Sequence, residues 1–202
     1  MKYVLLLSML KIIYSLSLNN KFYITPSKFQ TRVWRQNQVW YKDGKQNECE
    51  KYQKKLIEKI TKDEFVKSSK RINSYTKQLC NVNFPLKNKD GFEWTENFDG
   101  YLKNNKDDYY FNLKIICNSG GAQIRYMRNV YYFTSNQLQH LSKYENLNKN
   151  VYFINILDGD QCYKHIDKFN FLINKPEFKS VKENIFVGDM SEFQEYWHKY
   201  NF

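Results

Sequence analysis

An α/β fold with a mixed central sheet, built round a β-hairpin and flanked by helices, is what this sequence predicts, and three observations predict it. Residues 92–102 and 109–117 are rich in aromatic and aliphatic side chains and flank a polar patch at 103–108, the pattern of two antiparallel strands joined by a short loop. From residue 118 onward, helical and strand-like periodicities alternate to the end of the chain. A strand, a helix and a second strand in that order imply a parallel pair reached by a right-handed crossover.

In chain order, residues 47–60 intersperse charges with Tyr52, Leu56, Ile57 and Ile60 at helical spacing, which predicts a helix. Residues 62–79 read as a second helix or a continuation of the first, with Phe65, Val66, Ile72, Tyr75 and Leu79 as its apolar positions. A connector carrying Pro85 follows at 80–90, with a short strand expected at 82–84. The hairpin comes next, its turn centred near Asn105 and Lys106. The glycines at 120 and 121 break the second strand, and Ile124, Met127, Val130, Tyr131, Leu138 and Leu141 trace the apolar face of a helix over 122–143. Residues 150–157 are apolar enough for a strand buried on both faces. The run Asp158-Gly159-Asp160 reads as a turn and N-cap, or as a site at the end of a strand. A helix over 161–174 with Tyr163, Ile166, Phe169 and Leu172 inward stops before Pro176. A last strand is expected over 182–187, and Ser191-Glu192-Phe193-Gln194 is a capping-box pattern opening a terminal helix that runs to Tyr200.

The formal charge of +11 is unevenly placed. No acid precedes Asp43, whereas Lys2, Lys11, Lys21, Lys28, Arg32, Arg35 and Lys42 do, so 11 − 7 leaves +4 for the rest. A modestly basic body is compatible with a nucleic-acid groove, which needs those cations clustered. Residues 1–18 carry a basic start and an interrupted apolar run, too short for a transmembrane helix and read as a signal-peptide hydrophobic region, with a buried N-terminal helix as the alternative. Residues 19–44 form a basic, transit-like tract, and residues 45–202 are expected to make one domain. Such a two-part leader resembles those that route proteins through the secretory pathway into complex plastids of the apicoplast kind; mitochondrial import and secretion remain the alternatives. No stable membrane span is expected in the mature protein. Cys49, Cys80, Cys117 and Cys162 are widely spaced, with no Cys-x-x-Cys pair, and His140, His165 and His198 stand apart, which argues against structural zinc and against a disulfide scaffold.

The chemistry concentrates on the hairpin. A turn at Asn105 and Lys106 puts Asp99 opposite Asn112, with Lys114 one pleat further along on the same face, while Phe111, Leu113 and Ile115 point into a core. An acid, an amide and an ammonium are costly to bury alone, and a divalent cation with a phosphate would satisfy all three. The order Asp99-Gly100, then Asn112-Leu113-Lys114, then Gln123 in a Gly-Gly-Ala-Gln helix opening resembles the catalytic hairpin of the PD-(D/E)xK nuclease superfamily, and the resemblance takes in about the last two thirds of the chain.

That resemblance implies a restriction-endonuclease-like core and a metal-dependent DNA endonuclease, acting in organellar DNA repair, recombination or turnover. It implies Mg²⁺ or Mn²⁺ as cofactor, DNA as partner, and leaves open a homodimer. Asp99 would hold the metal, Asn112, where the family has Asp or Glu, or the backbone of Leu113 would add a second oxygen, and Lys114 would orient water or stabilise phosphoryl charge. Glu96 is the reserve acid, on the opposite face by strict alternation unless the strand bends. Gln123 supports the site. Apart from the resemblance, the backbone N–H groups of the helix start could meet a phosphate together with Arg125, or the two glycines serve only a tight strand-to-helix turn. Glu48, Glu50, Glu58 and Glu64 are candidates for one further acid. Two alternatives stand beside this reading: a nucleic-acid-binding relative that has lost catalysis, for which Asn112 speaks, and a non-nucleic-acid α/β interaction module in which Asp99, Asn112 and Lys114 form an ordinary cross-strand polar cluster.

Overall fold

Two strands and a two-residue loop set the sheet. In the computed structural model, which describes residues 30–42, 47–81, 94–117, 120–147 and 150–200, β4 (Gly100–Asn104) and β5 (Asp107–Ile115) pair antiparallel from Gly100↔Phe111 to Asn104↔Asp107. The loop is Asn105-Lys106 as expected, with Asn105 in the left-handed region that asparagine tolerates. β5 then pairs parallel with β6 (Val151–Asp158), and β6 pairs parallel with β7 (Ile185–Gly188), giving the order β4-β5-β6-β7. Helix α3 (Gly121–Lys143) is the crossover from β5 to β6, and α4 (Asp160–Ile173) the crossover from β6 to β7. The mixed sheet of the expected α/β class is therefore present.

Helices cover both faces. Alternation along β5 sends Tyr109, Phe111 and Leu113 to one side, where they pack with Leu56, Ile57 and Ile60 of α2 (Glu48–Thr61) and with Phe193 and Trp197 of α5 (Met190–Tyr200). Tyr110 goes to the other side with Phe98, Phe133 and Leu138. Phe98 stacks on Phe153 of β6 at 5.2 Å, and both rings are buried; each contributes roughly 1.5–3 kcal/mol of transfer free energy.

Residues 62–79 are not helical. Helix α2 ends at Thr61, with Lys62 in the left-handed conformation and its N–H on the Glu58 carbonyl. The chain then forms β1 (Lys70–Asn73) and β2 (Leu79–Asn81), an antiparallel pair that joins β3 (Trp94–Asn97) in a second sheet of order β2-β1-β3. The reason is local: Asn73 Oδ1 accepts the N–H groups of Tyr75 and Thr76 at 2.9 and 2.8 Å, closing a turn that competes with helix. The strand expected at 82–84 lies outside the described residues, as do residues 1–29 of the expected leader.

Residues 30–42, within the tract read as a leader, pack against the domain. Helix α1 (Thr31–Gln36) is anchored by Thr31, which is fully buried and whose hydroxyl accepts the Asp160 N–H at 3.0 Å. Trp40 stacks on Tyr52 of α2 at 4.5 Å and Trp34 meets the same ring edge-on at 5.7 Å. The folded unit thus extends upstream of the boundary expected at residue 45. The capping box of α5 is also displaced by two residues from Ser191: Asp189 Oδ1 accepts the Glu192 N–H at 2.9 Å while Glu192 Oε2 accepts the Asp189 N–H at 2.8 Å.

Candidate functional site

A bend at Phe98-Asp99 makes the site. The run that alternation reads as one strand is divided between two sheets, because Phe98 donates its N–H to Lys70 of β1 while Asp99 donates to Phe111 of β5. Gly100 permits the close crossing that follows; a Cβ there would lie 1.7 Å from a Phe65 ring carbon. The bend turns Glu96, at the end of β3, back toward β5. Glu96 Oε2 stands 3.2 Å from Lys114 Nζ, and Asp99 Oδ2 stands 3.7 Å from it. Asp99 Oδ2 also accepts the Leu113 N–H at 2.7 Å, which fixes the carboxylate against β5.

Asp99 and Lys114 are half-buried, at 18% and 24% exposure, and Glu96 is exposed at 40%, so solvent reaches all three. Burial pushes the Asp99 carboxyl above the usual carboxylate range, against the pull of Lys114 and the Leu113 N–H, and the neighbouring Glu50 and Glu96 add to the rise. Burial acts on Lys114 in the opposite sense, disfavouring its charge, but Asp99, Glu96 and Glu50 outweigh it and hold the ammonium above its ordinary value. Of the four upstream glutamates, Glu50 on α2 is therefore the one whose field reaches the cluster; its own carboxylate pairs with Lys54 at 2.9 Å. A groove of about 640 Å³, lined by Thr95, Glu96, Asn129, Tyr132 and Asn136 among others, opens beside the cluster between β3 and α3 and shares Glu96 with it.

Asn112 occupies the position opposite Asp99 but is fully buried. Its Nδ2 donates to Asn155 Oδ1 at 3.1 Å, and Asn155 in turn exchanges amide hydrogen bonds with Gln137 of α3 at 2.7 and 3.2 Å. Asn112 Oδ1 is buried without a hydrogen-bond partner. Asn112 thus terminates an amide chain that runs through the sheet from α3 toward the charged cluster, with one acceptor unsatisfied.

Gln123 and Arg125 sit in the first turns of α3, where no side chain caps the helix. Among the described residues neither makes a hydrogen bond or ion pair with Asp99, Asn112 or Lys114. Gln123 Oε1 instead lies over Gly120, where a Cβ would approach it to 2.7 Å. Asp158 is not a side-chain cap either: fully buried, it accepts Gln53 Nε2 at 2.7 Å and the Met190 N–H at 3.1 Å. Gln53 also donates to the Lys114 carbonyl at 3.3 Å, tying the end of β5 to α2. Its charged, helical neighbourhood in the sequence gave no sign of that inward role.

Among the described residues no group of three His, Cys, Asp or Glu side chains is arranged to hold a metal ion. The oxygen donors brought near one another are the Glu96 and Asp99 carboxylates, both on Lys114 Nζ. Such all-oxygen donors suit a hard cation such as Mg²⁺ or Mn²⁺ and not a thiophilic one. No protein-family model, curated protein or solved structure matches the chain.

Proposed function

We propose that this chain is a metal-dependent DNA endonuclease with a restriction-endonuclease-like core, hydrolysing phosphodiesters in an organelle. The observation that carries the reading is the approach of Lys114 Nζ to both Asp99 and Glu96, at 3.7 and 3.2 Å, on a half-buried face that adjoins an open groove. Support comes also from the order of elements: a helix, the small β1-β3 sheet, the antiparallel β4-β5 hairpin, a crossover helix and the parallel β6, with Asp99 at the entry to one hairpin strand and Lys114 late on the other.

A divalent cation would be held by the Asp99 and Glu96 carboxylates, with water completing its shell. Bound there, Mg²⁺ or Mn²⁺ supplies a Lewis acid and a water of lowered pKa. Lys114, held charged by its carboxylate neighbours, would stabilise negative charge on the phosphoryl oxygens and orient the attacking water; a lysine whose pKa is raised is not a general base at neutral pH. Gln53 would hold the Lys114 backbone in place, and Leu113 N–H would fix the Asp99 carboxylate in its orientation.

A second reading, a DNA-binding relative without catalysis, is favoured by one observation: Asn112 brings no charge and spends its Nδ2 on Asn155. The interaction-module reading keeps Asp99 and Lys114 as an ordinary cross-strand pair covered by Trp94 and Tyr101; against it, Tyr101 turns its hydroxyl to Asp108 at 2.6 Å. The test incubates the full chain, α1 included, with supercoiled and branched DNA and Mg²⁺ or Mn²⁺, with chelator and Lys114→Ala as controls. Metal-dependent nicking abolished by Lys114→Ala supports the nuclease; retention of DNA without cleavage supports the second reading; unchanged nicking by Lys114→Ala refutes the assigned site.

A further inference from the structure

A second open feature lies on the far side of α3. A cleft of about 470 Å³ separates the N-terminal half of α3 from α4, within the size range of small organic ligands, and four aromatic rings line it: Tyr131, Tyr132, Phe169 and Phe171. Tyr131 and Phe169 meet edge to face at 5.6 Å and join the two helices. Tyr132 and Phe171 do not complete the core; they are 63% and 71% exposed beside the cleft. Two large rings held at an unfilled volume favour a flat aromatic guest, because stacking recovers the area that solvent now covers.

Charge narrows the class of guest. Arg128 and Lys168 line the cleft, with Asp167 the one acid among its lining residues. The two helix segments that bound it, 121–132 and 160–171, carry Arg125, Arg128, Lys164 and Lys168 against Asp160 and Asp167, a balance of 4 − 2 = +2. His165, kept neutral at pH 7 by partial burial and by Lys168 and Lys164, adds a polar ring edge. A nucleotide, with its planar ring, polar edge and flanking negative charge, meets each of these features. Position agrees with chemistry, since Tyr132 lines both this cleft and the groove beside Glu96. A strand lying in the groove beside Glu96 can therefore reach the cleft across the Tyr132 side chain.

We propose that the α3/α4 cleft holds an unpaired base of a single-stranded segment, stacked on Tyr132 and Phe171, with Arg128 and Lys168 meeting its phosphates. The proposal rests on the nucleic-acid reading of the hairpin site and adds the strand state that the protein recognises. It makes the chain a reader of gapped, flapped or branched DNA, where bases are already free, and not of intact duplex.

The test measures fluorescence anisotropy of the full chain with labelled oligo(dT) of about 12 nucleotides and with a blunt duplex. Wild type is expected to bind the single strand more tightly than the duplex. Tyr132→Ala with Phe171→Ala is expected to weaken single-strand binding by about tenfold or more and to leave duplex binding within about twofold, in line with the worth of a base stacked on an aromatic ring. Phe171→Trp should keep the affinity and be quenched by the oligonucleotide. Lys168→Glu gives an independent surface change that weakens single-strand binding should the double variant unfold. Single-strand binding unaffected in the folded cleft variants overturns the inference and leaves the hairpin site standing. Cleft-dependent binding with no cleavage by wild type preserves the inference and sinks the nuclease. Binding to neither DNA form overturns the inference, as does self-association of the wild type that Phe171→Ala abolishes, which would assign the cleft to a second copy of the chain.

Discussion

Replacing Lys114 by methionine keeps much of the side-chain length and removes the charge that Asp99 and Glu96 share. At 3.7 and 3.2 Å each pair is worth roughly 4–5 kcal/mol of gross attraction at an effective dielectric near 20. Most of this is offset. Glu96, at 40% exposure, is screened and belongs near the surface-pair range of about 0.2–1 kcal/mol, whereas Asp99, at 18% and still open to solvent, falls between that range and the fully buried case of about 3–5 kcal/mol. Taking about 1.5 kcal/mol for Asp99 and about 0.5 kcal/mol for Glu96, the expected loss is near 2 kcal/mol at pH 7. The sign of its pH dependence follows from the groups themselves. Asp99 is held above its unfolded pKa, so ionising it costs the fold, and that cost grows as pH rises through the folded value. Lys114 is held above 10.5, so its contribution is complete at any lower pH and is lost only as pH rises through the folded value. Without Lys114 the cost of ionised Asp99 increases, and acid relieves it. Urea unfolding of wild type and Lys114→Met should therefore differ by about 2 kcal/mol at pH 7 and by less than half of that near pH 4, with equal m values. An equal difference at both pH values would refute an electrostatic role for Lys114.

Four further outcomes are expected. Asn112→Asp should raise Mg²⁺-dependent nicking of supercoiled DNA tenfold or more, yet lower stability by about 2–4 kcal/mol in metal-free buffer, because it buries a charge against the Asn155 carbonyl oxygen; nicking and urea unfolding measure the two effects separately, and a stability gain would contradict the burial of this position. Gly159→Ala should cost about 3 kcal/mol or more, since φ is +110° and the new Cβ would lie 2.2 Å from the Ile116 carbonyl oxygen; a melting temperature within a degree or two of wild type would show that the corner relaxes. Thr31→Val should cost about 1–2 kcal/mol by orphaning the Asp160 N–H, a loss visible in thermal denaturation and absent if residues 31–41 detach from the domain. Burial pushes the Cys117 thiol up to about 11 and raises Cys49, Cys80 and Cys162 as well, so a disulfide reagent at pH 7 should label the native chain slowly and the urea-unfolded chain fast. As pH rises from 9.0 toward 11 the same thiols should subtract stability, the unfolded state ionising first.

The hairpin, the crossover helices and the parallel strands were legible in the sequence because each follows one period over many residues, 2 along β5 and 3.6 along α3, with one side of each buried. Residues 62–79 were not, since Phe65, Val66, Ile72 and Leu79 satisfy a helical spacing by coincidence while a single side chain, Asn73, closes the turn between β1 and β2. Residues 31–41 were hidden by charge: an acid-free, basic tract reads as a leader, and the indole contacts of Trp34 and Trp40 with Tyr52 depend on a partner 12 or more residues away.

Glu96 shows why a site is harder to read than a sheet. Alternation assigned it to the wrong face because alternation assumes one strand, and the hydrogen bonds of Phe98 and Asp99 to different sheets break that assumption at the residue where the function is proposed. The bend does something no single substitution on a straight strand does: it supplies a second carboxylate beside Asp99 while position 112 stays neutral and bonded into the Asn155–Gln137 chain. If Glu96 carries the charge that Asn112 lacks, Glu96→Gln should abolish metal-dependent nicking as completely as Asp99→Asn, although Glu96 is the more exposed of the two and its loss should barely change stability. Full activity in Glu96→Gln would leave Asp99 as a lone carboxylate and return the chain to the DNA-binding reading without catalysis.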